Sequence, residues 1–277
     1  MSAYVLHRSP SARLEYRWFD PDGKAAERAI VLLHEGLGSV SMWRDFPNQL
    51  ALATKRPVLA YSRRGYGRSD PVGKPHTTSY MHEEALEQLP ALLDDLNISS
   101  PILFGHSDGA SIALLHAASG IRPVGAVIVE APHLFVEDIS IRSIRAARVA
   151  YESGDLRTKL ARYHADVDGA FYGWNDIWLS AEFRSWNIEG DLKSLHAPLL
   201  AIQGDEDEYG TIQQIDRIAR VCPDVELLML ADCRHSPHRD QQEQVLRAVQ
   251  RFLRQLKRVD EMEVAPSSKT SQAPTCP

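Results

Sequence analysis

Three short apolar runs in the first half of the chain each end in glycine. AIVLLH at 29–34 passes into EGLGS, PVLAYS at 57–62 into RRGYGRSD, and PILFGHS at 101–107 into DGAS. None of them alternates polar and apolar residues, which marks strands buried on both faces. Between them, 42–54 and 79–96 carry apolar residues at helical spacing, and IALLHAA after the third run begins another helix. A fourth run, VGAVIVEAP, occupies 124–132. Strands alternating with helices predict a mostly parallel sheet covered by helices. Glycine turns at the strand ends put loops at its carboxyl edge, where ligands bind in such sheets. Upstream, RLEYRWF at 13–19 alternates and is bounded by a turn at 21–23, a further strand.

The rhythm breaks at about residue 133. Up to 196 there is no strong apolar strand, only helical patterns: ISIRSIRAARVAYES, LRTKLARYHADVDGAFYGW and NDIWLSAEFRSWN. This segment reads as a helical insertion. The strand rhythm resumes with APLLAIQGDEDEYG at 197–210, followed by a helix over about 211–220. VELLML at 225–230 reads as another buried strand, ADCRHSPH as a loop, and about 240–257 as a closing helix. The last residues, rich in Pro, Ser and Thr, predict a disordered tail. The expected organisation is a core over 1–132 and 197–259, a helical cap over 133–196 and a tail over 260–277.

The chain has 277 residues, enough for one large domain with an inserted segment. Its net charge of −6 disfavours a nucleic-acid partner, which needs a basic surface. No apolar run has the length of a membrane span, and the first residues lack a signal-peptide pattern. A cytoplasmic protein without a membrane partner is expected. Cys222, Cys233 and Cys276 are too few and too scattered for a disulfide framework or a cysteine-built zinc site.

The chemistry concentrates in Gly105-His106-Ser107-Asp108-Gly109, a G-x-S-x-G between a buried strand and a helix start. A sharp turn there lifts the serine hydroxyl out of the sheet. The following helix turns free N–H groups toward the site. A serine hydroxyl needs a base, and the base an orienting acid. In chain order these should follow later strands. Asp207 follows PLLAIQGDE, and His235 follows VELLMLADCR. The acid loop holds four carboxylates, Asp205, Glu206, Asp207 and Glu208, so Asp205 stands as the alternative acid. The backbone N–H groups of Asp108 and Gly36 are the expected oxyanion donors, with His34 holding the loop. His106 is expected to pack, His238 to cap or face the final helix, and His7, His76, His82, His116, His164 and His196 to be ordinary surface or core residues. A His235–His238 metal pair lacks a third ligand. Gly36-Leu37-Gly38 lacks the third glycine of a dinucleotide fingerprint and no P-loop lysine follows, so no cofactor and no metal are expected.

Taken together, LLHEGLGS, SRRGYGRSD, GHSDGAS, QGDEDEYG and CRHSPH resemble, in order, the oxyanion-loop, R-G-x-G-x-S, nucleophile-elbow, acid-loop and histidine-loop segments of the α/β-hydrolase superfamily. The resemblance covers nearly all the chain before the tail. It implies an eight-stranded, mostly parallel sheet with a helical lid inserted after the sixth strand, and a catalytic Ser107, Asp207 and His235. Branches with an aspartate nucleophile, the dehalogenases and epoxide hydrolases, are disfavoured by serine at 107. One position departs from the pattern: His34-Glu35 stands where the family commonly has His-Gly. Either Glu35 faces solvent or pairs with Arg63 or Arg64, or it tunes His235 or meets a polar substrate group.

The expected activity is that of a serine hydrolase acting on a small ester, thioester or lactone through an acyl-enzyme. Glu35, Tyr172, Trp174 and Trp178 are the candidate substrate-binding residues. Carbon–carbon hydrolases, amidases and cofactor-free peroxidases keep the same triad, and a small-ligand receptor keeps the same fold. A homo-oligomer is left open.

Overall fold

The computed structural model describes residues 5–8, 12–20, 29–222 and 224–264. The turn expected at 21–23 and Cys276 lie outside these residues. Eight strands form one sheet: β1 (Val5–Arg8), β2 (Arg13–Phe19), β3 (Ile30–Leu33), β4 (Val58–Tyr61), β5 (Ile102–His106), β6 (Ala126–Glu130), β7 (Leu199–Gly204) and β8 (Glu226–Leu230). Their spatial order is β1-β2-β4-β3-β5-β6-β7-β8. β1 and β2 pair antiparallel with their neighbours, and every pair from β4 to β8 is parallel. The mostly parallel, helix-covered sheet of the α/β class is therefore what the chain adopts.

Five of these strands, β3 to β7, have every residue buried or nearly so, as runs without alternation require. β8 differs from expectation. Leu227 and Met229 are each 40% exposed while Leu228 and Leu230 turn inward. It is an edge strand, helix-covered on one face only. An apolar composition alone does not distinguish an edge from a central strand.

Helices pack on both faces. On one side lie α1 (Phe46–Thr54) and the closing helix α10 (Gln242–Val264), around Phe46, Phe104, Val249 and Phe252. On the other side, α2 (Tyr80–Glu83), a π-helical turn (Glu84–Gln88) and α3 (Leu89–Asp95) run on from one another beside α4 (Asp108–Ser119). α10 continues to Val264, past the point where the tail was expected to begin; 265–277 lie outside the described residues. Between β6 and β7 come α5 (Asp138–Ser153), α6 (Leu156–Leu160) and α7 (Val167–Leu179), with two 3-10 turns after them. α7 runs unbroken through the Trp174–Asn175 junction at which the sequence pattern divided it. α8 (Gln213–Val221) and α9 (Pro237–Asp240) complete the set.

Because β3 and β5–β8 are parallel, the loops after Leu33, His106, Glu130, Gly204 and Leu230 all open at one edge of the sheet. The tightest point is the β5–α4 junction. A Cβ on Gly105 would stand 2.3 Å from the Gly109 carbonyl oxygen, and one on Gly109 would stand 2.0 Å from that of Leu33. Only hydrogen fits at either place. Gly109→Ala is therefore expected to cost about 1–3 kcal/mol through overpacking, read as a fall of several degrees in Tm by calorimetry. An unchanged Tm would mean that α4 shifts away from β3 freely.

Candidate active site

Ser107 sits between β5 and α4 with φ 55° and ψ −118°, a conformation that a non-glycine residue rarely adopts. Strain of this kind costs roughly 1–3 kcal/mol and persists only where the surroundings enforce it. Here they do: the Ser107 N–H donates to the Glu130 carbonyl at 3.0 Å, and its own carbonyl accepts from the Ala110 N–H at 2.9 Å.

The structure brings Ser107, His235 and Asp207 into one line. His235 Nε2 lies 2.9 Å from Ser107 Oγ, and His235 Nδ1 lies 2.8 and 2.9 Å from the two Asp207 carboxylate oxygens. A carboxylate only accepts, so Nδ1 carries the proton and Nε2 turns its lone pair to the serine hydroxyl. The Asp207 carboxylate is otherwise saturated by the N–H groups of Tyr209 and Gly210 and by the Gln203 amide. Burial alone would push its pKa up. The His235 contact and the Tyr209 N–H outweigh that and hold it below the usual carboxylate value. Asp205, the alternative acid, instead accepts from the Cys233 N–H at 3.4 Å.

The loop after β3 is held from behind by a buried arginine. Arg63 Nη1 donates to the His34 carbonyl at 2.6 Å and Nη2 to the Glu35 carbonyl at 3.1 Å. His34 Nε2 accepts from the Arg63 N–H, and Nδ1 then donates to the Glu35 carbonyl at 2.7 Å. This arrangement wants a neutral ring, and burial drives the His34 pKa well below its ordinary value. His164, expected to be ordinary, is a further brace. Its Nδ1 accepts from the Gly67 N–H at 3.0 Å and its Nε2 donates to the Leu37 carbonyl at 2.9 Å. No local pattern in the sequence marks a bond across such separations.

Glu35 pairs with neither Arg63 nor Arg64. Arg63 is engaged with backbone carbonyls, and Arg64 donates to the Pro71 carbonyl at 2.9 Å. The Glu35 carboxylate turns the other way, to within 3.5 Å of His106 Nδ1. His106 does more than pack: its Nε2 lies 2.6 Å from the His235 carbonyl oxygen. Nor does His238 merely cap a helix. Its Nδ1 meets the buried Glu130 carboxylate at 2.7 Å, beside Trp43 and Phe46.

Ser107 opens into a cavity of about 120 Å³, lined among others by Gly36, Asp108, His133, Trp174, Trp178 and His235. Glu35 also lines it. Trp174 and Trp178, one helical turn apart on α7, form its roof. The Trp174 indole sits so close over Gly36 that a Cβ there would meet Nε1 at 2.1 Å. Trp178 Nε1 donates to Tyr80 Oη at 3.0 Å, and the Tyr80 hydroxyl donates to the buried Asp108 carboxylate at 2.6 Å. This relay ties α7 to the first residue of α4. Tyr172, expected beside the tryptophans, is elsewhere. Two residues before Trp174 a helix has turned through about 200°. Tyr172 therefore packs against Tyr151 and Phe171 and faces a separate open cleft of about 350 Å³ with His76 and Asp176.

His133 is buried against His235 and Trp178, with burial the main cause of a pKa lowered to about 3. Its folded pKa is below the unfolded one, so the unfolded chain binds more protons in between. Stability is then complete above about pH 6.5 and falls as pH drops toward that of the folded group. The neutral His34 adds to the same loss. Tm is expected to fall between about pH 7 and pH 4, and less steeply in His133→Asn. Equal slopes for the two proteins by calorimetry would contradict a buried neutral His133.

Residues 30–248 match the sequence model of the alpha/beta hydrolase family. The chain is 24% identical over 262 residues to the sn-1-specific diacylglycerol lipase ABHD11 of Danio rerio, covering 84% of this chain and 80% of that protein. It is 27% identical over 188 residues to the non-heme chloroperoxidase of Burkholderia pyrrocinia, covering 54% of this chain and 64% of that one. Among solved structures, one described with the carboxylesterases of Nitrososphaera gargenis superposes with a TM-score of 0.71 at 24% identity, over 92% of this chain and 99% of the other. The enol-lactonase of Burkholderia xenovorans superposes with a TM-score of 0.70 at 20% identity, over 90% and 99%. At these identities the structural likeness speaks for the fold.

Proposed function

Since the chain belongs to the alpha/beta hydrolase family, we propose that it is a serine hydrolase that cleaves small esters, thioesters or lactones through an acyl-enzyme on Ser107. The observation that carries this reading is the unbroken line from Asp207 through His235 to Ser107 Oγ, with every donor and acceptor matched. Ser107 attacks the carbonyl carbon while His235 Nε2 takes the hydroxyl proton. Asp207 holds the imidazole in the required tautomer and offsets the charge it gains. The backbone N–H groups of Gly36 and Asp108, both lining the same cavity, hold the developing oxyanion. His235 then returns the proton to the leaving group, and water attacks the acyl-enzyme with His235 again as base.

The cavity supports a small substrate. At about 120 Å³ it is well below the range that takes drug-sized ligands. Its roof is two indoles. This size and roof favour a short acyl chain under Trp174 and Trp178 beside Ile144 over a long one. The helices between β6 and β7 serve as the cap that closes over the site.

Three measurements test this. A fluorophosphonate is expected to label the wild type and not Ser107→Ala, and Asp207→Asn is expected to lower kcat by roughly 10⁴ through the wrong tautomer. A wild type that neither labels nor turns over any acyl substrate would remove the hydrolase reading in favour of a receptor. Along a p-nitrophenyl ester series, kcat/KM is expected to be highest for acetyl to butyryl and to fall tenfold or more by octanoyl. A maximum at octanoyl would overturn the short-chain assignment.

A further inference from the structure

Behind the triad lies a second acid–imidazole couple that the reaction leaves unused. His106, the last residue of β5, is 2% exposed and sits directly before Ser107. Its ring lies between two oxygens: the His235 carbonyl, 2.6 Å from Nε2, and Glu35 Oε2, 3.5 Å from Nδ1. Both oxygens are acceptors. A neutral imidazole has one N–H and one lone pair, so it satisfies one of them and repels the other. The imidazolium alone matches both.

The surroundings favour that charge. The titratable groups facing His106 are Glu35 from the loop after β3, Glu130 at the end of β6, His133 beyond it, His235, and His238 on α9. Glu130 is itself held by His238, and His133 is kept neutral by burial. Burial works against a charged His106, but Glu35 outweighs it and raises the pKa. Glu35 in turn is held well below the carboxylate range, its own burial outweighed by His106.

We infer that Glu35 and His106 are a positioning pair: the Glu35 carboxylate holds the His106 imidazolium, whose Nε2–H grips the His235 carbonyl and so fixes the base against Ser107. This rests on the reading of His235 as the base. When His106 loses its proton, the Glu35 carboxylate, an anion and so the stronger acceptor, draws the remaining N–H to Nδ1 across what is a 3.5 Å ion-pair contact in the charged form. Nε2 then turns a lone pair to the His235 carbonyl, and the loop is released. The triad itself requires only that His235 be neutral, which limits the rate in acid. The pair adds a limit in base.

The test is kcat and KM for p-nitrophenyl acetate from about pH 6 to pH 10 in wild type, Glu35→Gln, His106→Gln and His106→Ala. In wild type kcat is expected to fall tenfold or more above neutral pH with KM little changed, since small misplacements of a catalytic group cost up to about 10² in rate. In Glu35→Gln the amide N–H can donate to Nδ1 of a neutral His106, leaving Nε2–H on His235. The alkaline fall should vanish although kcat near neutrality drops a few-fold. His106→Gln carries an uncharged donor near the Nε2 position and should also lose the fall. His106→Ala should lose kcat about tenfold near neutral pH, with KM nearly unchanged, and should converge on wild type above the alkaline fall. An alkaline limb that is the same in wild type, Glu35→Gln and His106→Gln overturns the inference. Nitrogen-15 NMR of the wild-type His106 ring gives a readout independent of catalysis and of the variants. Both nitrogens are expected to be protonated at neutral pH, and a singly protonated ring there overturns the inference. Loss of fluorophosphonate labelling in wild type would instead overturn the hydrolase reading, with the NMR result still deciding the state of the pair.

Discussion

At Ser107 the chain reverses from strand to helix inside a space so narrow that neither Gly105 nor Gly109 could carry a methyl group. The strained backbone of that residue exists because β3, β6 and α4 close around it. The position of α4 on the sheet, the line from the serine to His235 and the placement of the Asp108 N–H all follow from this turn. The parallel strands bring the remaining partners to the same edge, since each loop at a strand's carboxyl end must open there. The site is thus a property of the sheet, and the loops supply its chemistry.

Around that turn buried side chains hold the loop after β3 through specific hydrogen bonds to its backbone. Arg63 takes two carbonyls of the loop after β3, His34 takes a backbone N–H and gives one back, and His164 ties the same loop to Gly67. A buried polar group left without a partner costs on the order of 1–3 kcal/mol, so each of these bonds also fixes a conformation. The imidazoles are used in different ionisation states according to what faces them. His34 meets one donor and one acceptor and is neutral. His106 meets two acceptors and is charged in the arrangement inferred above. Desolvation and partner charge therefore decide the state of each ring, where residue type alone would give them all the same one.

Much of the architecture was legible in the chain. Apolar runs ending in glycine located β3, β4 and β5, and the broken rhythm after 133 located the helices between β6 and β7. The order of the serine, acid and histidine loops pointed to the residues that now lie within hydrogen-bonding distance. Other features were not legible. Leu227 and Met229 read as buried because strand composition does not reveal an edge. Tyr172 read as a pocket residue because a cluster of aromatics does not reveal which side of a helix faces inward. The role of Glu35 stayed open between solvent, an arginine and the site, because the sequence does not reveal that backbone carbonyls engage Arg63 and leave the carboxylate to His106.

What the sequence determined by itself was periodic or local: where strands and helices run, and where the chain needs glycine to turn. These depend on a residue and its near neighbours, so they can be read from spacing. Tertiary structure alone decided between Asp207 and Asp205 as the partner of the His235 imidazole, that Glu35 reaches His106, and that Trp174 covers Gly36. Each of these joins segments far apart in the chain. Their pairing is set by the distances between strands and by which donors remain when the nearer acceptors have been served, and no spacing along the chain encodes that.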